Sequence, residues 1–463
     1  MRTVRAEADD SGDVLDAIDD LSKQVRRDLG ESLPSIWRHD KPLALVTTNS
    51  LRALRYYTMA TRHVRAARWS DAVPLLQLAI EEDSSFAIAY SKLGVIYSNM
   101  RDTEKAKKYS EMAKTRAENV TDRERYYIEA RYYEDRDITK RAIDSYKLLV
   151  EVYPDDFIGH NNLSFQLQFD YEYEDALKYA QEAKRIAPDA WYPHHNLAGI
   201  YAGLGEYELA IESAKKAQSI NPEGYWSYIV LAWVYCCQGD PAAGKKELEK
   251  LPLDDEGWRS ISLRYLASMC RTYGNDEAAL SYLRQGILND DLAGRAESQS
   301  WMWIAVADIK RIGGDGVGAL DALRTAGRLS WSVRNMTYLG AGLAAAGNWA
   351  EAEAILAELD EPWEWEKTAT DLAWIERYKG ELAMARRDYE GAAQHFELST
   401  GHSESLDTRY RLGRALRLTG EYDRAIKEFK MIDGKRYGAF FDGVPWIWPL
   451  SLYEMGLAQE AAG

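Results

Sequence analysis

A helix-turn-helix pattern restarts about every 34 residues along this chain of 463 residues. A fixed short period leaves few folds open. One such unit cannot bury its apolar side alone, so neighbouring copies must stack and share a core, and the expectation is an all-α solenoid. No alternating strand pattern survives more than a few residues, and a hydrophobic content of 46% is ample for such a core. Length is a poor guide to domain number in a repeat array, and one elongated body is expected.

The clearest copies lie between Ala87 and Gly224. Leu93-Gly94-x-x-Tyr97 is followed by Ala106 and Ala113, and Leu197-Ala198-x-x-Tyr201 by Ala210, Ala214, Ala217 and Pro222. Residues four apart share one helical face, the small residue after the Leu admits the next helix, and alanines three or four apart give the second helix a thin side. Gly205 and Gly239 end first helices, and Pro154, Pro188 and Pro222 close second helices. This pattern resembles tetratricopeptide (TPR) repeats. The resemblance implies a right-handed superhelix of about eleven to twelve helix-turn-helix units. They are placed at 53–86, 87–120, 123–156, 157–190, 191–224, 225–258, 260–293, 300–333, 333–366, 373–406 and 406–439, with a final half repeat. The match weakens where Gly244 replaces the usual Ala and where extra residues precede Trp301 and Ala373; those insertions are expected to be loops.

The chain divides into an N-terminal part (1–50), the array (51–439) and a C-terminal half repeat or capping helix (440–463). Val14, Leu15, Ile18, Leu21, Val25 and Leu29 recur at helical spacing before Gly30, and Pro34 and Pro42 bracket an irregular linker, so an amphipathic helix is expected to pack on the first repeat. The run from Asp13 to Leu21, with Arg26 to Ser32 and Thr47 to Leu54, resembles the junction ahead of the TPR array in bacterial receptor-like Ser/Thr kinases. That resemblance implies the sensory or scaffolding part of a multidomain signalling protein. The chain has no glycine-rich nucleotide loop, His-Arg-Asp or Asp-Phe-Gly, so kinase activity does not carry over. Leu452 to Gln459 read like the first helix of another repeat, as in a fragment or a capped chain.

A net charge of −16 disfavours nucleic acid, since phosphate contact needs clustered Lys and Arg. Nothing approaches the roughly 20 apolar residues of a membrane span, and the first twelve residues are too polar for a secretory signal. A cytoplasmic location is the default expectation, with a soluble part of a membrane-anchored protein as the other reading. Cys236, Cys237 and Cys270 are expected to be buried thiols. His160 and His194 occupy equivalent places in successive repeats and are expected to pack, and Gly313 to Gly318 lacks the Lys-Ser/Thr of a phosphate loop. No metal, cofactor or catalytic set is expected, and no enzyme activity.

In TPR arrays the first helices line the concave face. Offsets from the packing residues give the expected ligand-binding set: Tyr127, Arg131, Asn161, Asn162, Phe165, His195, Asn196, Trp226, Trp233, Arg264, Tyr265 and Arg271. Tyr, Trp and Arg supply most interface energy, and Asn can hold an extended backbone. The pairs Asn161-Asn162 and His195-Asn196 are the hardest to explain as core, because buried amides need partners. They resemble TPR clamps for carboxyl-terminal peptides, without the full Lys/Asn/Asn/Lys/Arg set. The expected function is a non-catalytic scaffold that binds a protein or peptide segment in this groove. Two other readings stay open: a small-molecule sensor with an aromatic pocket between repeats five and eight, and an enzyme using His195 or Arg264. Oligomeric state is not legible.

Overall fold

Alanine-rich faces and turn residues decide where each helix begins, packs and stops. The computed structural model describes residues 48–65, 68–100, 102–118, 120–361, 367–441 and 443–462, with a few isolated positions between 17 and 24. Nearly all of the expected N-terminal helix and linker (1–50) lies outside the described residues. Among the described residues there are helices and no strands. The chain divides into two compact units, Met1–Leu163 and Ser164–Gly463.

Unit 1 contains α1 (Leu51–Arg65), α2 (Trp69–Glu82), α3 (Ala87–Asn99), α4 (Thr103–Lys114), α5 (Asp122–Glu134) and α6 (Thr139–Val152); α7 (Phe157–Phe169) crosses the boundary. The helices pack as consecutive pairs, α1 on α2, α3 on α4 and α5 on α6. Ala53, Ala60, Ala72, Leu76, Ala79, Leu93 and Ile96 share one buried cluster. The alanines bring helix axes close, and the leucines fill the seam. Side-chain caps set the starts: Asp102 accepts from the Lys105 amide at 3.1 Å and Thr121 from the Glu124 amide at 3.1 Å.

Unit 2 continues with α8 (Tyr173–Ile186), α9 (Trp191–Gly203), α10 (Tyr207–Ile220), α11 (Trp226–Cys237), α12 (Pro241–Leu248), α13 (Glu256–Thr272), α14 (Asp276–Leu292), α15 (Ala296–Ile312) and α16 (Gly316–Leu329). Then follow α17 (Val333–Ala345), α18 (Trp349–Asp360), α19 (Ala369–Ala385), α20 (Tyr389–His402), α21 (Leu406–Thr419), α22 (Tyr422–Gly434), the short α23 (Arg436–Phe441) and α24 (Ile447–Ala462). The small residue of the repeat has a direct steric role: a Cβ on Gly413 would stand 2.6 Å from the ring of Phe429. The weak match at Gly244 has the same cause, since a Cβ there would stand 2.6 Å from the Ala232 carbonyl oxygen.

The turn inside each helix pair needs a left-handed residue. Asp137, Tyr171, Gly205 and Gly239 supply it at steps of about 34 residues, followed by Gly274, Gly314, Gly347, Arg387 and Gly420. Glycine adopts this conformation freely; Tyr171, at φ 59°, does not, and something must hold it there.

Two expectations need correction. The residues before Trp301 are not a loop: α14 runs to Leu292 and α15 starts at Ala296, so the insertion lengthens both helices around a turn at Gly294. Likewise α19 starts at Ala369, four residues before Ala373, under a capping box of Thr368 and Asp371. Unit 2 owes part of its compactness to α23, which packs on α9, α11 and α21, first helices of well-separated repeats.

Candidate functional site

Geometry on the first helices of unit 2 comes from repeat register, which aims equivalent side chains to the same side. Trp233 of α11 meets Tyr265 of α13 edge-to-face at 5.4 Å, and Trp226 meets Trp258 at 5.3 Å. Trp191 stands 5.8 Å from His195, whose value burial pushes down to about 4. Its neighbour Asn196 is buried and donates to Ser164 at 3.4 Å. Phe165 packs edge-on to Phe169 at 4.7 Å.

The chain itself covers this aromatic stretch. Phe440 stacks on Trp233 at 4.9 Å, and Trp446 lies over the Arg271 guanidinium at 3.6 Å. Tyr437 is 1% exposed and Phe440 0%, while Trp233 beneath is 2% exposed. A Cβ on Gly438 would stand 2.7 Å from the Tyr171 ring and 3.2 Å from Leu406, so only glycine lets the segment settle there. Lys435 also lies over the ring of the left-handed Tyr171 at 4.9 Å. In the aromatic region between repeats five and eight, the place expected for a small-molecule pocket, Phe440 packs on Trp233 and Trp446 on Arg271.

A second stretch, from α15 to α21, is lined by charge, and Arg271 of α13 reaches it through Asp308. Arg271 and Arg311 share Asp308 at 3.6 Å each, and Arg377 and Arg411 share Asp407 at 3.2 and 3.4 Å. Burial pushes the Asp407 carboxyl up, but the guanidiniums of Arg411 and Arg377 outweigh it and leave it below the ordinary carboxylate value. Glu454 of α24 pairs with Arg414 at 3.1 Å and Arg417 at 2.7 Å. Arg264 lies over the ring of Tyr265 at 5.1 Å.

The remaining predicted residues lie in unit 1. Arg131 pairs with Glu134 and, at 3.3 Å, with Asp135; Tyr127 is half-buried nearby in sequence on the same helix. Asn161 donates to Asn162 at 3.2 Å, and Asn162 donates to the buried Tyr146 hydroxyl at 3.0 Å. The partner that a buried amide requires is therefore inside the protein. His160 and His194 each place Nε2 by the carbonyl of a proline six residues earlier, Pro154 at 2.8 Å and Pro188 at 3.2 Å, a repeated packing contact. Cys236 and Cys237 are buried free thiols and Cys270 is half-buried.

Sequence reasoning missed Tyr437, Phe440 and Trp446, which carry no repeat signal. It also missed Arg334, although that residue lies about one repeat beyond Trp301 in the same register.

The profile of the tetratricopeptide repeat matches residues 87–119 and 193–223. A search of the curated proteins found no match. Among solved structures the chain is similar to the anaphase-promoting complex hetero-tetramer Cut9–Hcn1, at 10% identity over 96% of this chain and 90% of that one, with a TM-score of 0.37. It is similar to a tetratricopeptide repeat protein from Parabacteroides merdae at 16% identity, over 64% of this chain and 99% of that one, with a TM-score of 0.37. It is also similar to YrrB, described as a TPR protein with an unusual peptide-binding site, at 23% identity over 38% of this chain and 89% of that one, with a TM-score of 0.25. Among the described residues no helix is long and apolar enough to cross a membrane. The profile matches place tetratricopeptide repeats at 87–119 and 193–223, and the paired helices and periodic left-handed turns continue the same helix-turn-helix fold among the described residues.

Proposed function

We propose that the protein is a non-catalytic scaffold that holds a peptide segment of a partner on the first-helix faces of its repeats, as the regulatory part of a signalling protein. One observation carries this reading. The aromatic stretch of unit 2 holds a short segment of the chain's own sequence, with Phe440 on Trp233 and Trp446 on Arg271. A face that accepts Tyr437, Phe440 and Trp446 has the chemistry to accept similar anchors from outside, because aromatic rings bury much area for little lost freedom. In unit 1 the half-buried Tyr127, Asn161 and Asn162 are the corresponding candidates.

The test uses a labelled synthetic peptide of residues 434–448 and the full chain carrying Tyr437→Ala and Phe440→Ala. Saturable binding to this variant, absent from the wild type and lost on adding Trp233→Ala, is the expected result. A helical, folded variant that ignores the peptide would count against the reading.

A further inference from the structure

Two guanidiniums of unit 2 share a single carboxylate. Arg271 of α13 stands 3.6 Å from Asp308 of α15, and Arg311, on the same helix as Asp308, lies at the same distance from it. Among the described residues neither arginine has a second carboxylate, so the cluster keeps one positive charge in excess. The next pair along the face is balanced, because Arg377 and Arg411 share Asp407 and Arg411 also pairs with Glu381. The shortfall falls on a buried group. Arg271 is 7% exposed, and its Nη1 and Nη2 are buried with no hydrogen-bond partner. At 3.6 Å Asp308 attracts this guanidinium without accepting a hydrogen bond from it. Burial pulls Arg271 below its ordinary value and outweighs the opposing effect of Asp308.

Trp446 covers the flat side of Arg271 at 3.6 Å. Stacking of this kind leaves the in-plane N–H donors unserved, since an indole has no acceptor to offer them. The chain's own cover therefore meets the aromatic part of the face and not its charge. Its other anchor is well seated, with Phe440 fully buried on Trp233 at 4.9 Å. A segment that matched these anchors and brought a carboxylate to Arg271 would fit the face better than the cover does. A carboxylate meets the fork of a guanidinium with two parallel hydrogen bonds, and Arg271 is already desolvated in the folded chain.

We propose that the partner segment selected by this face is both aromatic and acidic: it carries an acidic residue next to the ring that takes the place of Trp446, and that carboxylate binds Arg271. Tyr437, Phe440 and Trp446 are then an internal competitor that the partner displaces. This rests on the peptide-binding reading above and adds the charge that the partner must bring.

The test uses the full chain carrying Tyr437→Ala, Phe440→Ala and Trp446→Ala, with labelled peptides of residues 434–448. One peptide is unchanged; the others carry Pro445→Glu, Pro445→Gln, Ile447→Glu or Ile447→Gln, on either side of Trp446. At one or both positions the Glu peptide should bind at least fivefold more tightly than its Gln twin. Adding Arg271→Gln to the chain should abolish that ratio, and adding Asp308→Asn, which removes the competing carboxylate, should widen it. Circular dichroism checks that each variant is folded, and Asp308→Asn decides the matter if Arg271→Gln does not fold. Binding of the unchanged peptide with no Glu advantage at either position overturns the charge requirement and leaves peptide binding standing. No binding of any peptide overturns both. A Glu advantage that survives Arg271→Gln, or that Asp308→Asn leaves unchanged, overturns the assignment to Arg271.

Discussion

The first-helix face of unit 2 contains two stretches that meet the same difficulty by opposite means. From α9 to α13 the face is aromatic, and the chain covers it with Tyr437, Phe440 and Trp446. From α15 to α21 the face is ionic, and its arginines and carboxylates largely satisfy one another. Exposed apolar area costs roughly 25 cal/mol per Å², so an aromatic stretch is stabilised by any cover that fits. An ionic stretch can stay hydrated, and its energy depends on pairing. The two should therefore fail under different perturbations.

The largest effect is expected at the cover. Trp233→Ala should cost about 3–5 kcal/mol, as for a large buried aromatic, measured by urea unfolding. Phe440→Ala removes the other side of the same contact, so the double variant should cost less than the sum of the two. Additive costs would mean the stacked rings are not coupled, and the distinction between stretches would fail.

In the ionic stretch Arg377→Met leaves Asp407 with Arg411 alone. The expected cost is about 3 kcal/mol, at the lower end for breaking a buried pair because one partner remains. A neutral result in the same urea assay would show that the arginines there do not satisfy the carboxylates. Gly438→Val ranks next, at about 1–3 kcal/mol, through the clash with Tyr171 and Leu406. It should also quench or shift tryptophan emission as Trp233 loses its cover.

A smaller effect separates the stretches by pH. His195 in the aromatic stretch has a folded value of about 4, below the ordinary 6.5, so the unfolded chain binds a proton that the folded chain refuses. Its contribution is complete above 6.5 and declines as pH falls toward 4. Asp407 is held below the ordinary 3.8, so its contribution is present above that value and is lost as pH falls through the lower folded value. His195→Leu should flatten the stability profile between 6.5 and 4 and leave the more acidic limb intact. Loss of both limbs together in pH-dependent urea melts would tie the two stretches into one.

Much of this architecture was legible because it is local. Leu93-Gly94-x-x-Tyr97 and Leu412-Gly413 encode close helix approach, and Gly205, Gly239 and Gly420 mark the turns. Tyr171 and Arg387 occupy the same turn position without glycine, so a glycine search misses them. The insertion before Trp301 looked like a loop because a lengthened helix pair breaks the period without breaking helicity. The candidate site was legible only as a register. The register predicts Trp233 and Arg271 for the ligand face, but nothing near them in sequence signals that Phe440 and Trp446 return to cover them. Arg436 to Phe441 is too short to show a period, and its meaning depends on contacts with distant repeats.

The most direct measurement of the central claim is hydrogen–deuterium exchange on the wild type and on the Tyr437→Ala, Phe440→Ala double variant. If Tyr437, Phe440 and Trp446 cover the aromatic stretch, α9, α11 and α13 will exchange faster in the variant, while α15 to α19 keep their wild-type protection. Unchanged exchange in α11 and α13, or the same acceleration throughout unit 2, would contradict the account.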